Sequence, residues 1–229
     1  MQLVQALGAV PWRFGFALRE CGQALERVGC QLQGIYSHYE STNRHMPIVP
    51  VKYASPSLGS DVFVAPSSLL LGNVTVGSKS SIWYNATVRG DRQPVTIGKA
   101  VNIQDSAYIG TANEYSPPVE IGNDVSIGHG AVIKGATIGN NCLIGINAVV
   151  SEGCKVGELS IVAAGAYVEE NTEVPSGEVW AGNPARKLRA LKPQEKEYLR
   201  NLPVRYTEMG SEHGQVMKLL RMKQEEYTS

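Results

Sequence analysis

Residues 136–174 read ATIGNN-CLIGIN-AVVSEG-CKVGEL-SIVAAG-AYVEEN-TEV when they are divided every six residues. Each unit begins with a small residue and carries Ile or Val at its third position. An amphipathic helix repeats about every 3.6 residues, and a strand with one buried face repeats at every second residue, so neither explains this pattern. A six-residue period predicts short strands that stack, coil upon coil, around a shared core.

The same period runs through the preceding residues and defines a ladder of aliphatic side chains. The ladder comprises Val64, Leu70, Val76, Ile82, Val88, Ile97, Ile103, Ile109, Ile121, Ile127, Ile133, Ile138, Ile144, Val150, Val156, Val162, Val168 and Val174. Gly follows several of these residues, and we expect it to permit a tight corner after each short strand. Stacked strands lie about 4.8 Å apart, so each coil buries its ladder residues against those of the next.

Composition and charge exclude several classes of protein. Lys and Arg total 21, as do Asp and Glu, so the chain lacks the excess of basic residues that is typical of nucleic-acid-binding proteins. The apolar runs are far shorter than the roughly 20 residues that span a bilayer. The four cysteines, Cys21, Cys30, Cys142 and Cys154, form no CxxC pair and no disulfide framework. A reducing or neutral compartment is therefore expected.

The N-terminal residues suggest both a targeting signal and a helix. Residues 1–19 contain Arg13 and Arg19 but no Asp or Glu, which is typical of a mitochondrial transit signal, although so short a stretch can also lack acids by chance. Residues 12–33 are predicted to form a helix because apolar residues recur at spacings of three and four. That stripe consists of Phe14, Leu18, Cys21, Leu25, Val28 and Leu32.

Glycines flank this stripe every seven residues and suggest close approach to a partner. They are Gly8, Gly15, Gly22 and Gly29. Each interior Gly costs a helix about 1 kcal/mol relative to Ala, a cost that close backbone packing offsets. Residues 1–54 are thus predicted to be a docking helix and linker. The helix would contact other subunits, with Phe14, Leu18 and Leu25 at the interface, or it would contact a membrane surface peripherally. The alternative is a helix folded back on its own coil.

The chain returns to a helical pattern after the coil. Residues 187–229 are predicted to be a C-terminal helical segment that Pro203 interrupts, with a second helix from about Val216 to Tyr227. His38, His45 and His213 have no metal-ligand spacing and are expected to be solvated loop residues.

Several local motifs resemble those of γ-carbonic anhydrases, over roughly residues 55–190. The motifs are Arg89-Gly90-Asp91, Asn102-Ile103-Gln104-Asp105, Ile127-Gly128-His129, residues 175–180 (PSGEVW) and residues 182–186 (GNPAR). Residues 19–34 are similar to the γ-carbonic anhydrase subunits of mitochondrial complex I in plants and green algae. The resemblance implies an all-β left-handed parallel β-helix over residues 55–186, with three hexapeptides to a coil and hence about six coils, assembled as a trimer.

The resemblance also implies a zinc site whose ligands are largely missing from this chain. Of the family's three histidine positions, one matches His129, whereas the other two match Gly110 and Lys134. Gly110 offers no ligand, and Lys134, a cation with a reference pKa of about 10.4, opposes Zn²⁺. Glu114, Glu120 and Tyr108 lie nearby in the sequence but carry no ligand motif.

The register separates the three positions. Gly110 and Lys134 each follow a ladder residue that closes a coil, so they should stack on one edge as a half-site that binds no cofactor of its own. His129 lies on another part of the coil, and it can share a metal with the other two positions only across a subunit boundary. Two interpretations of His129 therefore remain: a ligand of Zn²⁺ at a subunit interface, or a turn histidine that forms a hydrogen bond at that interface.

Three further residues match positions in the family's motifs. Arg89 and Asp91 are expected to form interface ion pairs rather than to perform chemistry. Gln104 resembles a residue near the family's metal-bound water. Without the metal, Gln104 would have no catalytic role.

The predicted function is that of a non-catalytic structural or assembly subunit. The resemblance places it in a heterotrimer with other γ-carbonic anhydrase subunits on the matrix arm of complex I, at the matrix side of the mitochondrial inner membrane, with membrane-arm subunits among its partners. Residues 12–33 would supply any peripheral membrane contact. One alternative is a zinc carbonic anhydrase that hydrates CO₂ at a site shared through His129. The other is a hexapeptide acyltransferase with His129 as its base.

Overall fold

The computed structural model describes the backbone of residues 2–33, 45–51 and 53–228 of the 229-residue chain. Side chains are described for residues 14–29, 31–32, 45–51 and 53–219. The chain divides into two compact units, Met1–His45 and Met46–Ser229.

The first unit contains one helix among its described residues, α1 (Gln2–Gln33), which begins ten residues before the predicted start. Its apolar stripe is exposed, with exposed fractions of 65% for Phe14, 73% for Leu25 and 84% for Leu32. None of the described helices is both long enough and apolar enough to cross a membrane.

Among its described residues, the second unit contains short strands and one helix. The strands are β1 (Ile48–Val49), β2 (Ser57–Leu58), β3 (Phe63–Val64), β4 (Leu69–Val76), β5 (Ser81–Ile82), β6 (Thr87–Ile97), β7 (Asn102–Ile103), β8 (Tyr108–Gly110), β9 (Val119–Ile121), β10 (Ser126–Ile127), β11 (Val132–Lys134), β12 (Thr137–Ile138), β13 (Leu143–Ile144), β14 (Val149–Val150), β15 (Lys155–Val156), β16 (Ile161–Val162), β17 (Tyr167–Val168), β18 (Glu173–Val174), β19 (Glu178–Gly182) and β20 (Ala185–Ala190). The helix is α2 (Pro193–Thr228).

The strands form a parallel β-helix with three faces, which confirms the predicted architecture. Face 1 carries ladder residues such as Ile97, Ile121 and Ile138 in register. Face 2 stacks β3, β5, β7, β10, β13, β16 and β19. Face 3 stacks β8, β11, β14 and β17 on the first halves of β4 and β6.

The described residues complete about seven turns rather than six, since face 2 contains one parallel strand for each turn. The prediction was too low because it counted only from Val64 to Val174. The structure adds β1 and β2 at one end, where each pairs with β4, and β19 at the other.

The ladder residues form the core, and all of them except the half-buried Val64 are buried. The glycines that follow the ladder residues were expected to permit tight corners, but the structure gives them a different role. The positive backbone φ at the corners falls three residues before the ladder residue, for example at Asn85 and Asn147. The glycines after the ladder instead allow coils to approach, since a Cβ on Gly98 would lie 2.4 Å from the Gly122 carbonyl oxygen.

The C-terminal region differs from the prediction in two ways. Residues 185–190 form strand β20, which pairs antiparallel with β19 and extends face 2. α2 is continuous through Pro203, because this proline is buried and packing holds the helix on both sides of it. Leu199 packs with Val179 before the proline, and Tyr206 packs on Trp83 after it, so α2 covers face 2.

Candidate functional site

Gly110 and Lys134 lie side by side at the corner where face 3 ends. Gly110 closes β8 and Lys134 closes β11, and the two strands pair in parallel with these residues directly opposite each other. The stacking arises because Ile109 and Ile133 occupy equivalent ladder positions in consecutive coils. We call this pair the 110/134 corner.

The 110/134 corner does not fit a zinc ion. Zinc in proteins is held by Cys, His, Asp or Glu, and Gly110 has no side chain, whereas the exposed Lys134 carries a positive charge. Among the side chains described, no carboxylate lies within ion-pair distance of Lys134. Nor do three His, Cys, Asp or Glu residues come together as a possible metal site anywhere in that part of the chain.

Tyr108 and Arg89 occupy the space beside Gly110. A Cβ placed on Gly110 would lie 3.0 Å from the Tyr108 hydroxyl, 3.1 Å from Arg89 Cβ and 3.3 Å from the Arg89 carbonyl oxygen. Gly110 is consequently buried although it ends a strand at the surface.

Arg89 and Asp91 form a two-pronged ion pair within the chain. Arg89 Nε lies 3.1 Å from Asp91 Oδ1, and Arg89 Nη2 lies 2.6 Å from Asp91 Oδ2. The hydrogen bonds from Arg89 lower the pKa of the Asp91 carboxyl, and those to Asp91 raise the pKa of Arg89. Gly90 between them is required for space, because a Cβ there would lie 2.2 Å from the Asn73 carbonyl oxygen.

His129 lies at the opposite corner of face 3, next to Asp105. Its Nδ1 is 3.3 Å from Asp105 Oδ2, and the two side chains are 48% and 45% exposed. The other oxygen of Asp105 accepts a hydrogen bond of 3.0 Å from the Tyr84 backbone N–H. His129 precedes β11 and Lys134 ends it, so the structure separates His129 from the 110/134 corner of the same chain.

Gln104 belongs to a buried polar network on face 2 rather than to the 110/134 corner. Its Nε2 donates to Asn102 Oδ1 at 3.1 Å, and Asn102 Nδ2 donates to Ser126 Oγ at 2.6 Å. Burial raises the pKa of Tyr206 on α2, while a hydrogen bond with Gln104 acts in the opposite direction. The network therefore satisfies polar groups beneath α2.

His213 is not a solvated loop residue, contrary to the prediction. It lies on α2, with its ring centroid 5.1 Å from that of Trp83, and its Nδ1 is 3.2 Å from the Tyr84 hydroxyl. The recurrence of Tyr206, Met209 and His213 at spacings of three and four could have indicated this contact face. His45 is exposed, and His38 lies outside the described residues.

The outward-facing residues distinguish the three faces. Face 1 presents polar residues: Thr75, Thr96, Glu120, Thr137, Lys155 and Glu173. Face 2 is covered by α2. Face 3 presents a mostly apolar stripe, in register and at most partly buried, which consists of Leu69, Thr87, Tyr108, Val132, Val149 and Tyr167. This face 3 stripe lies between the 110/134 corner and the His129 corner.

Comparisons with known proteins agree with this architecture and indicate the family to which the chain is related. Residues 135–170 match the family model described as bacterial transferase hexapeptide (six repeats). The chain is 39% identical to gamma carbonic anhydrase 1, mitochondrial, of Arabidopsis thaliana, over 97% of this chain and 88% of the relative. It is 40% identical to gamma carbonic anhydrase 3, mitochondrial, of the same plant, over 91% and 82%. A crystal structure of a hexapeptide transferase family protein from Anaplasma phagocytophilum superposes with a TM-score of 0.68 at 34% identity, over 71% of this chain and 95% of that one.

Proposed function

The chain belongs to the γ-carbonic anhydrase family, and on that premise we propose that it is a non-catalytic structural subunit of a heterotrimer in mitochondrial complex I. One observation carries the non-catalytic part of the proposal. The 110/134 corner, where the family places two ligands, offers a glycine and a lysine in register. A zinc ion there would lack donors and face a cation.

The surface of the β-helix supports assembly with related subunits. Face 1 is polar, face 2 is covered by α2, and face 3 presents its apolar stripe. An uncovered apolar patch on a soluble fold is typical of a protein interface. The two corners that border the stripe differ, so a head-to-tail ring would bring the 110/134 corner of each subunit against a neighbour's His129 corner.

The mitochondrial location and the complex I partner are supported by other features. The relatives are named as mitochondrial, and residues 1–19 lack acidic residues. The exposed stripe of α1, including Phe14, Leu18 and Leu25, offers a surface for membrane-arm subunits or for the matrix side of the inner membrane. Native electrophoresis of mitochondria tests this proposal: the chain should migrate with NADH dehydrogenase activity, and migration only with free trimers would contradict it.

A second candidate function is a zinc site shared with a neighbouring subunit. The contact between His129 Nδ1 and Asp105 favours it, because metal-binding histidines commonly engage a carboxylate through their other ring nitrogen. In that arrangement the neighbour would supply the remaining ligands. The acyltransferase alternative is not favoured, because the relatives that match nearly the whole chain are carbonic anhydrases.

The zinc content of the native assembly separates the two candidates. We expect the wild-type subunit to contribute no ligand, so that His129→Ala leaves the zinc content unchanged. A content of about one zinc per trimer that His129→Ala removes would instead establish the shared site. His45→Ala is the matched control, since His45 is exposed and belongs to no possible metal cluster among the described residues.

A further inference from the structure

The space beside Gly110 is filled by another residue of the same chain. Gly110 does not have a positive φ, so its backbone conformation would accept any side chain. A side chain at position 110 would instead lack space, because its Cβ would lie 3.0 Å from the Tyr108 hydroxyl and 3.1 Å from Arg89 Cβ. Such contacts are tighter than ordinary van der Waals distances of about 3.5–4.0 Å.

We propose that Tyr108 has taken over the space that a metal ligand at position 110 would need, and that it acts there as a positioning residue for the Arg89 guanidinium. The part that concerns metal rests on the proposed function. The position of the Tyr108 hydroxyl beside Gly110, where Arg89 Cβ also lies, stands on the geometry of this chain alone.

The position of Tyr108 explains how it reaches the corner. It is an outward-facing residue of face 3, between Thr87 and Val132 in register, and neither of these neighbours is aromatic. Its ring is partly buried, and its hydroxyl lies over Gly110 next to Arg89. The absence of a side chain at position 110 is what gives the hydroxyl this place.

Arg89 forms hydrogen bonds with Asp91, and the Tyr108 hydroxyl lies near its Cβ on the other side of the position beside Gly110. Asp91 holds the guanidinium through two hydrogen bonds, the geometry that fixes an arginine most firmly. The pKa of Arg89 is raised first by Asp91 and further by Tyr108, so both neighbours favour the charged guanidinium. Restoring histidines at positions 110 and 134 would therefore displace Tyr108 and disturb Arg89.

A double-mutant cycle tests the contact directly. We expect Gly110→Ala to lower the melting temperature by about 2–4 °C when Tyr108 is present, and by clearly less in the Tyr108→Phe background, where the hydroxyl is gone. Tyr167→Phe is the matched control, because Tyr167 lies on the same face three coils away and should not relieve the cost. An equal cost of Gly110→Ala in the wild-type protein and in the Tyr108→Phe variant would overturn the proposal.

Metal content tests the consequence for the corner. Zinc bound per subunit is measured after dialysis for Gly110→His/Lys134→His and for the same protein with Tyr108→Val added. We expect the triple variant to retain more zinc than the double variant, and equal contents at any level would refute the blocking role of Tyr108. The proposed function is judged separately, on wild-type zinc and on His129→Ala, so the two can fail independently.

Discussion

The glycines that follow ladder residues lie where neighbouring coils approach most closely. A Cβ on Gly145 would lie 2.4 Å from the Ala164 backbone nitrogen, and one on Gly139 would lie 2.7 Å from that of Glu158. Backbone atoms cannot rotate away as a side chain can. The coils can therefore approach this closely only because glycine carries a hydrogen atom where other residues carry a Cβ.

Gly145→Ala is expected to destabilise the β-helix by about 1–3 kcal/mol, the usual cost of overpacking. Gly22→Ala is the control, because no described atom beyond the neighbouring helix backbone lies within 4 Å of a Cβ there, and Ala favours a helix. Urea unfolding monitored by circular dichroism measures both. A Gly145→Ala protein as stable as the wild type would show that the coils can separate freely.

At the scale of elements, α2 is fastened to the β-helix at its first turn. Glu195 accepts hydrogen bonds from Arg189 at 2.7 Å through both carboxylate oxygens, and from the Lys192 backbone N–H at 2.9 Å. Arg189 lies on β20, so the pair connects the last strand with the start of the helix. These bonds, those from Arg189 first, lower the pKa of Glu195 to about 2.

The contribution of this pair should depend on pH in a defined direction. Because the pKa in the folded protein lies below the usual value of about 4.3, the stabilisation is complete above that pH and is lost as the pH falls toward about 2. Glu195→Gln should therefore melt at a lower temperature than the wild type at pH 7, and the difference should disappear near pH 2.

Glu173→Gln provides the comparison for that experiment. Glu173 forms a more exposed pair with Lys155 at 3.4 Å, which is expected to contribute little. The melting temperatures of all three proteins are followed from pH 7 to pH 2. If the difference between wild type and Glu195→Gln persists at the lowest pH, the ion pair is not its source.

At the scale of the whole molecule, the three faces of the β-helix have different surroundings. α2 covers face 2, polar residues such as Glu120 and Lys155 cover face 1, and face 3 presents Val132 and Val149 at the surface. Assembly through face 3 would bury that stripe and bring different corners of neighbouring subunits together.

Val149→Lys is expected to prevent this assembly, because a charge would have to be buried without a partner. The mass measured by light scattering after gel filtration should fall from that of a trimer to that of a monomer. Thr137→Lys on face 1 is the matched control and should leave the trimer intact. A trimeric Val149→Lys protein would exclude the face 3 stripe as the interface.

Residues separated by whole coils were placed correctly from the sequence. The stacking of Gly110 on Lys134 follows from the positions of Ile109 and Ile133 in the ladder, because a parallel coil turns a distance along the chain into a position in space. The separation of His129 from that pair follows in the same way. The number of turns was underestimated, since the end strands β1, β2 and β19 do not carry the full repeat.

The sequence by itself determined the coil, the ladder and the register of the 110/134 corner, because periodic burial requires identical environments at each repeat. The tertiary structure decided that Tyr108 fills the space beside Gly110, that Gln104 lies beneath α2, and that His213 packs on Trp83. These contacts have no period. They depend on which side chains meet once the coil has closed and a helix has folded back along it, and no spacing within the repeat records that encounter.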